Sequence, residues 1–144
     1  MGKDEPIWFF SEGVKYIHPA KEKTRHWIRK IIKLERFLAG EINIIFCSDA
    51  YLSEINVKYL KNNMLTDIIT FDYSEKKGWI KGDIYISVER AKENAGKFGV
   101  SFQEEIDRLI VHGILHLAGY DDKDRKDKKV MTLKEDYYLS LPAI

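Results

Sequence analysis

The run His112-Gly113-Ile114-Leu115-His116-Leu117-Ala118-Gly119-Tyr120-Asp121-Asp122 constrains this chain more than any other stretch of it. Two histidines four residues apart on a helix lie one turn apart on the same face, the placement a divalent metal ion needs to take two imidazoles. Gly119 lets the backbone leave the helix through a left-handed residue, which side chains with a Cβ resist. The turn then brings Tyr120, Asp121 and Asp122 back toward the histidine face, where a carboxylate supplies a third ligand. Asp122 is the expected third ligand and Asp121 the alternative, because a turn can present either neighbour. Two imidazoles and one carboxylate leave a fourth position open to water, as catalytic zinc requires.

An i,i+4 histidine pair in an apolar helix also occurs as two hydrogen-bonded core residues. The helix stop at Gly119 followed by carboxylates tips the reading toward metal. In zinc peptidases the residue after the first histidine is the glutamate that acts as base; here it is Gly113, which moves no proton.

The same eleven residues resemble the signature H-G-x-L-H-L-x-G-Y-D-H of the YbeY family of bacterial rRNA maturation factors. Ten template positions are met from His112 through Asp121; the family's third histidine is replaced by Asp122. Upstream, Glu54 to Tyr59 (EINVKY), Thr66 to Phe71 (TDIITF) and Gly82 to Ser87 (GDIYIS) resemble the family's central segments in order and spacing. The resemblance spans residues 40 to 140. It implies a cytoplasmic, metal-dependent single-strand endoribonuclease, a hydrolase of phosphodiester bonds, acting in 16S rRNA maturation and ribosome quality control. The implied partners are rRNA and the small ribosomal subunit, with neither DNA nor membrane.

Two departures bear on activity. Asp122 in place of an imidazole lowers the formal charge of the site by one unit, so a bound cation attracts phosphate less. One divalent ion is expected, with zinc favoured, and a carboxylate also admits harder ions such as manganese. Leu60 stands where the family's E-L-N-x-x-Y-R pattern has an arginine suited to phosphate; Lys58 and Lys61 are the nearby substitutes. Asp67 and Asp83 fall in the family-like segments, although an Asp after Thr66 or Gly82 commonly caps a turn. No residue is assigned as general base. Two other classes stay open: a ribosome-associated RNA-binding or chaperone module with a structural metal, and another metallohydrolase.

At 144 residues the chain fits one domain, and 44% hydrophobic with 12% aromatic residues argue for a folded globule. The N-terminal MGKDEPIWFF lacks the basic start and long apolar core of a signal peptide, and the single cysteine, Cys47, fits a reducing compartment; both point to the cytoplasm. The net charge of +1 does not announce a nucleic-acid partner. Seven basic residues against two acidic ones between Lys21 and Arg36 do offer a local one, and Arg25, Arg29, Lys33 and Arg36 form a basic stripe at helical spacing.

Periodicity predicts a strand at Ile7 to Phe10. A helix opening near Pro19 follows, with Trp27, Ile28, Ile31, Ile32, Leu34 and Leu38 on its apolar side, stopped by Gly40. A strand over Glu41 to Cys47 leads to a helix capped by Ser48-Asp49 and running to about Leu60, then a loop at Asn62-Asn63. Strands Thr66 to Tyr73 and Trp79 to Ser87 make an antiparallel hairpin across Lys76-Lys77-Gly78. Ser87 caps a helix from Val88 to about Lys97 that stops near Gly99, and Ser101-x-x-Glu104 opens the buried histidine helix, whose apolar wall should keep the imidazoles neutral. A last helix covers Asp124 to Leu139, with Val130, Met131, Leu133, Tyr137 and Tyr138 as candidate packing residues. The expected fold is α/β or α+β: a small mixed sheet of four strands with packed helices and the metal site on a central helix.

Overall fold

A computed structural model describes residues 5–60 and 66–141. The described elements run β1 (Ile7–Glu12), α1 (Lys21–Leu34), β2 (Leu38–Cys47), α2 (Asp49–Leu60), β3 (Ile68–Asp72), β4 (Trp79–Ser87), α3 (Val88–Phe98), α4 (Phe102–Leu117) and α5 (Arg125–Ser140). The strands form one mixed sheet in the order β1-β2-β4-β3. β1 and β2 are parallel, joined through the α1 crossover, and β2 and β4 are also parallel, with α2 and β3 between them in the chain. β3 and β4 are antiparallel, with Thr70 opposite Ile84, as their short connection through Gly78 (φ 88°) demands. The α/β expectation and the four-stranded mixed sheet are therefore found as read.

Strand alternation divides the apolar residues between two faces. Ile42, Ile44 and Phe46 of β2 and Ile80, Ile84 and Ile86 of β4 point to one side, where α1 and α4 cover them with Ile28, Ile31, Ile32, Ile106, Ile110 and Ile114. The opposite face holds a smaller cluster of Cys47, Leu52, Ile55 and Ile69 under α2. Cys47 is fully buried and its thiol is pushed up to about 12, by burial first and then by the charges of Asp49 and Glu12, so it is a packing residue. No helix among the described residues is long and apolar enough to cross a membrane.

α4 lies directly on β4. A Cβ built on Gly113 would sit 2.8 Å from Ile84 Cγ2, so the missing side chain is what permits the close approach. Ser101 opens the helix with a complete capping box: its Oγ accepts from Glu104 N at 3.1 Å and its own N–H donates to Glu104 Oε1 at 3.1 Å. At the other end Gly119 N–H reaches the His116 carbonyl and Tyr120 N–H the Leu115 carbonyl, both at 3.0 Å. With Gly119 at φ 103° this is a Schellman stop.

Several boundaries differ from expectation. α1 begins at Lys21, behind Ala20 rather than at Pro19, and ends at Leu34 instead of reaching Gly40. The stop is a second Schellman pattern, with Phe37 N–H on the Ile32 carbonyl and Arg36 N–H on the Lys33 carbonyl, and Arg36 itself takes φ 66°. A non-glycine residue in that place hides the stop from sequence reading. Leu34 and Leu38 are consequently exposed, at 48% and 56%, rather than packed. Gly40 lies inside β2, where the pairing with β4 shifts register between Ala39 and Ile42 and a Cβ would crowd Lys81 Cβ at 2.9 Å. On α5, Met131 and Tyr138 are buried, but Val130, Leu133 and Tyr137 face solvent. Ser48 does cap α2, its Oγ accepting from Tyr51 N at 3.1 Å. The Asn62-Asn63 loop and Lys61 lie outside the described residues.

Candidate metal centre

The histidine pair is presented by the solvent-side stripe of α4, opposite the stripe that packs on the sheet. His112 and His116 stack edge-on, ring centroids 4.7 Å apart and planes at 71°. The Schellman stop turns the chain so that Asp122 Oδ2 comes within 3.3 Å of His112 Nε2 and 3.5 Å of His116 Nε2. One donor atom from each of the three residues falls within 4.8 Å of the others. Two nitrogens and a carboxylate oxygen at this spacing are a donor set that could hold a divalent ion. Asp121 takes a different part: its Oδ1 accepts from the Asp122 backbone N–H at 2.9 Å, stiffening the turn.

His112 is oriented by a residue that sequence reading missed. Its Nδ1 lies 2.6 Å from Glu135 Oε2 on α5. With Nδ1–H donated to that carboxylate, the Nε2 lone pair points at the shared space beside Asp122, the tautomer a metal needs. Arg108 in turn donates to Glu135 Oε1 at 3.0 Å and to Asp136 Oδ1 at 2.9 Å, so Glu135 is held from both oxygens. Arg108, His112 and His116 follow one another at i, i+4 and i+8, and that spacing is the one local signal that would have found the arginine.

The expectation of an apolar wall favouring neutral imidazoles needs correction at His112. Burial does push its pKa down, but the hydrogen bond and charge of Glu135, joined by Asp122 and Asp67, outweigh it and hold the pKa above the ordinary value. The environment is a carboxylate-lined one, tuned to a cation at Nε2.

The three residues line one wall of an open cleft of about 540 Å³ between α4, α5 and the start of β3. Asp67 stands in that wall, accepting from Asn94 Nδ2 at 3.0 Å. Glu105 also lines it while almost fully buried, and its carboxyl is held above the usual range, by burial first and then by the Asp67 charge. The cationic side chains lining the cleft, among the described residues, are Arg108 and Lys128.

The remaining residues singled out from sequence lie elsewhere. Asp83 is on the opposite face of the sheet, accepting from Asn43 Nδ2 at 3.0 Å. None of Arg25, Arg29, Lys33, Arg36, Lys58 or Leu60 lines the cleft. Arg25 is occupied locally: its Nε donates to the Ile7 carbonyl at 2.7 Å, it pairs with Glu22, and its guanidinium lies 5.1 Å from the Phe9 ring centre. Arg36 falls beyond the end of α1, so the four-residue stripe is not one helix face. Lys58 lies over the ring of Tyr59 at 5.2 Å.

Comparison with known proteins gives the same outline. The family model described as "Endoribonuclease YbeY" matches residues 11–141. An endoribonuclease YbeY from Cytophaga hutchinsonii is 46% identical over 139 residues, covering 96% of this chain and 97% of that protein. One from Flavobacterium psychrophilum is 50% identical over 123 residues, covering 84% and 87%. A solution structure of a Thermotoga maritima protein is similar with a TM-score of 0.65 and 30% identity, covering 91% of this chain and 86% of that one. By a match over most of its length, and with a His112/His116/Asp122 cluster on the signature segment, the chain belongs to the endoribonuclease YbeY family.

Proposed function

We propose that this chain is a metal-dependent endoribonuclease that cuts single-stranded RNA, with precursor rRNA of the small ribosomal subunit as its substrate and the cytoplasm as its place of work. The observation that carries the reading is the convergence of His112 Nε2, His116 Nε2 and Asp122 Oδ2 on the wall of an open cleft, in a chain of this family. These residues are the proposed ligands of one divalent ion, zinc by the nitrogen donors, with manganese or a similar ion admitted by the carboxylate. A bound divalent ion supplies Lewis acidity toward a phosphoryl oxygen and lowers the pKa of water. The shared sheet and continuous main core support residues 1–144 acting as a single domain.

The rest of the chemistry belongs to the chain. Glu135 fixes the His112 tautomer and Arg108 fixes Glu135. Among the described residues the positive groups lining the cleft are Lys128, which is exposed, and Arg108, which is held by Glu135 and Asp136; a phosphate entering the cleft meets them in the role that Leu60 cannot fill. Asp67, Glu105, Asp122 and Glu135 make the same wall acidic, so the phosphodiester meets attraction only near the cation and these two side chains. Slow turnover follows from that balance. A peptidase reading has no support: the position after His112 faces Ile84 of the sheet, where no glutamate fits.

The test compares His116→Ala with wild type on one single-stranded RNA, each rigorously freed of contaminating nucleases, with and without added zinc or manganese. Cleavage by metal-loaded wild type alone is expected. Equal cleavage by the two proteins would remove the enzyme reading and leave an RNA-binding module with a structural metal.

A further inference from the structure

His112 and His116 are placed by a helix, but Asp122 sits on the turn after it, with its side chain 39% exposed. Something other than helical periodicity must keep that carboxylate within reach of both imidazoles. The residue two positions earlier supplies a tether. Tyr120 packs its ring against the edge of the main core and donates its hydroxyl to Glu35 Oε1 at 2.7 Å. Glu35 caps the C-terminal end of α1, where its backbone N–H reaches the Ile31 carbonyl at 2.9 Å. Its side chain is only 6% exposed, and its second oxygen accepts from Lys134 Nζ at 3.0 Å and from the Tyr138 hydroxyl, both on α5. The Lys134 ammonium also lies 5.6 Å from the Tyr120 ring centre. One buried carboxylate thus ties the C-terminal end of α1 both to the loop that carries Asp122 and to α5.

We propose that Glu35 is a positioning residue for the metal centre, acting through Tyr120 to hold Asp122 against the two histidines. The proposal rests on the reading of His112, His116 and Asp122 as metal ligands. Its physical basis is the cost of ordering a loop: a ligand on an untethered turn must be immobilised when the ion binds, whereas a tethered one is already in place. The two Schellman stops make the tether short, because they fix Glu35 at one helix end and Tyr120 one residue past Gly119 at the other. Partners outside a metal's own ligands commonly alter affinity by about 10–100-fold, and a tether one step further out should fall at about the lower figure.

The experiment titrates Co²⁺ into chelator-stripped protein and follows both affinity and the visible absorption of the bound ion. Wild type, Asp122→Ala, Tyr120→Phe, Glu35→Ala, Glu35→Gln and Tyr138→Phe are compared, and urea midpoints measured in parallel report stability. Tyr120→Phe and Glu35→Ala should each bind Co²⁺ about tenfold more weakly, with spectra moved toward that of Asp122→Ala. Glu35→Gln keeps an oxygen for the Tyr120 hydroxyl and should recover most of the affinity. Tyr138→Phe touches Glu35 from α5 and should lower stability while leaving Co²⁺ affinity at the wild-type value.

Wild-type affinity and spectrum in Tyr120→Phe and Glu35→Ala, with Asp122→Ala weakened, would overturn the positioning role and leave the ligand set intact. Equal loss in Tyr138→Phe would overturn it too, since general destabilisation would then account for the effect. Asp122→Ala binding like wild type would instead sink the ligand assignment itself. Should Glu35→Ala fail to fold, Tyr120→Phe and Glu35→Gln carry the comparison alone.

Discussion

Glu135 Oε2 lies 2.6 Å from Nδ1 of His112, joining α5 to the ring of a proposed metal ligand 23 residues away. The contact decides which nitrogen of His112 faces the Asp122 carboxylate, and so which atom is free to bind a cation. Because Arg108 occupies the other oxygen of Glu135 at 3.0 Å, the carboxylate cannot rotate away without breaking a second pairing.

Glu135→Gln should therefore weaken divalent-ion affinity by about 10–100-fold, the usual effect of losing a carboxylate behind a ligating histidine. Zinc competition against a chromophoric chelator measures this directly. Affinity equal to wild type would mean that the ring is held by its packing in α4 and not by Glu135.

Gly119 tests the turn without touching a donor atom. At φ 103° it occupies backbone space that residues with a Cβ rarely adopt, while a Cβ there would meet nothing within 4 Å. Backbone strain is thus the expected penalty, and Gly119→Val should lower stability by about 1–2 kcal/mol while weakening metal binding as Asp122 is displaced. Urea midpoints and zinc affinity on the same preparations check both halves. Unchanged zinc affinity in a destabilised variant would show that the loop finds its place by other contacts.

The local parts of this architecture were legible in the sequence because each rests on residues close together in the chain. The His112/His116 spacing, the Gly119 stop, the Ser101/Glu104 capping box and the β3–β4 hairpin all have short-range causes. What escaped notice depends on contacts between distant segments. Glu135 and Glu35 read as ordinary charges on helix surfaces, and only packing of α5 against α4 and α1 reveals them as buried acceptors. Gly40 was a false stop because the chain ends α1 through Arg36, at a φ that glycine normally supplies. Gly113 illustrates a half-read residue: its inability to act as a base is plain from its type, but its purpose, letting α4 settle on Ile84, belongs to the tertiary structure.

Acid should loosen the molecule through Glu35. Burial alone pushes its carboxyl pKa up, yet the hydrogen bonds from Tyr138, Tyr120 and Lys134, with the Lys134 charge, together hold it below the usual 4.5. A carboxyl depressed in the folded state contributes stability that is present above its unfolded value and is lost as pH falls through the folded value. In the presence of chelator, wild type should be more stable than Glu35→Gln at neutral pH, and the gap should close as pH drops below the ordinary carboxylate range. Urea midpoints of both proteins across that range give the answer. A gap independent of pH would place the contribution of Glu35 in its shape and not in its charge.

Lys128 tests the cleft against the basic surface of α1 as the proposed path of RNA. It lines the cavity beside the His112/His116/Asp122 cluster, is exposed, and makes no ion pair among the described residues, whereas Arg108 cannot be changed without releasing Glu135. Each phosphate contact on a single strand contributes about 0.7 to the slope of log affinity against log salt. Lys128→Gln should therefore flatten that slope by about 0.7 and raise KM, with metal affinity untouched because no donor or donor partner changes. Lys33→Gln, on the α1 surface outside the cleft, serves as the comparison. Fluorescence anisotropy of a labelled single-stranded RNA at several salt concentrations measures both slopes. A flattened slope in Lys33→Gln with none in Lys128→Gln would move the RNA path from the cleft mouth to the α1 face, and would restore that part of the basic stripe as its electrostatic guide.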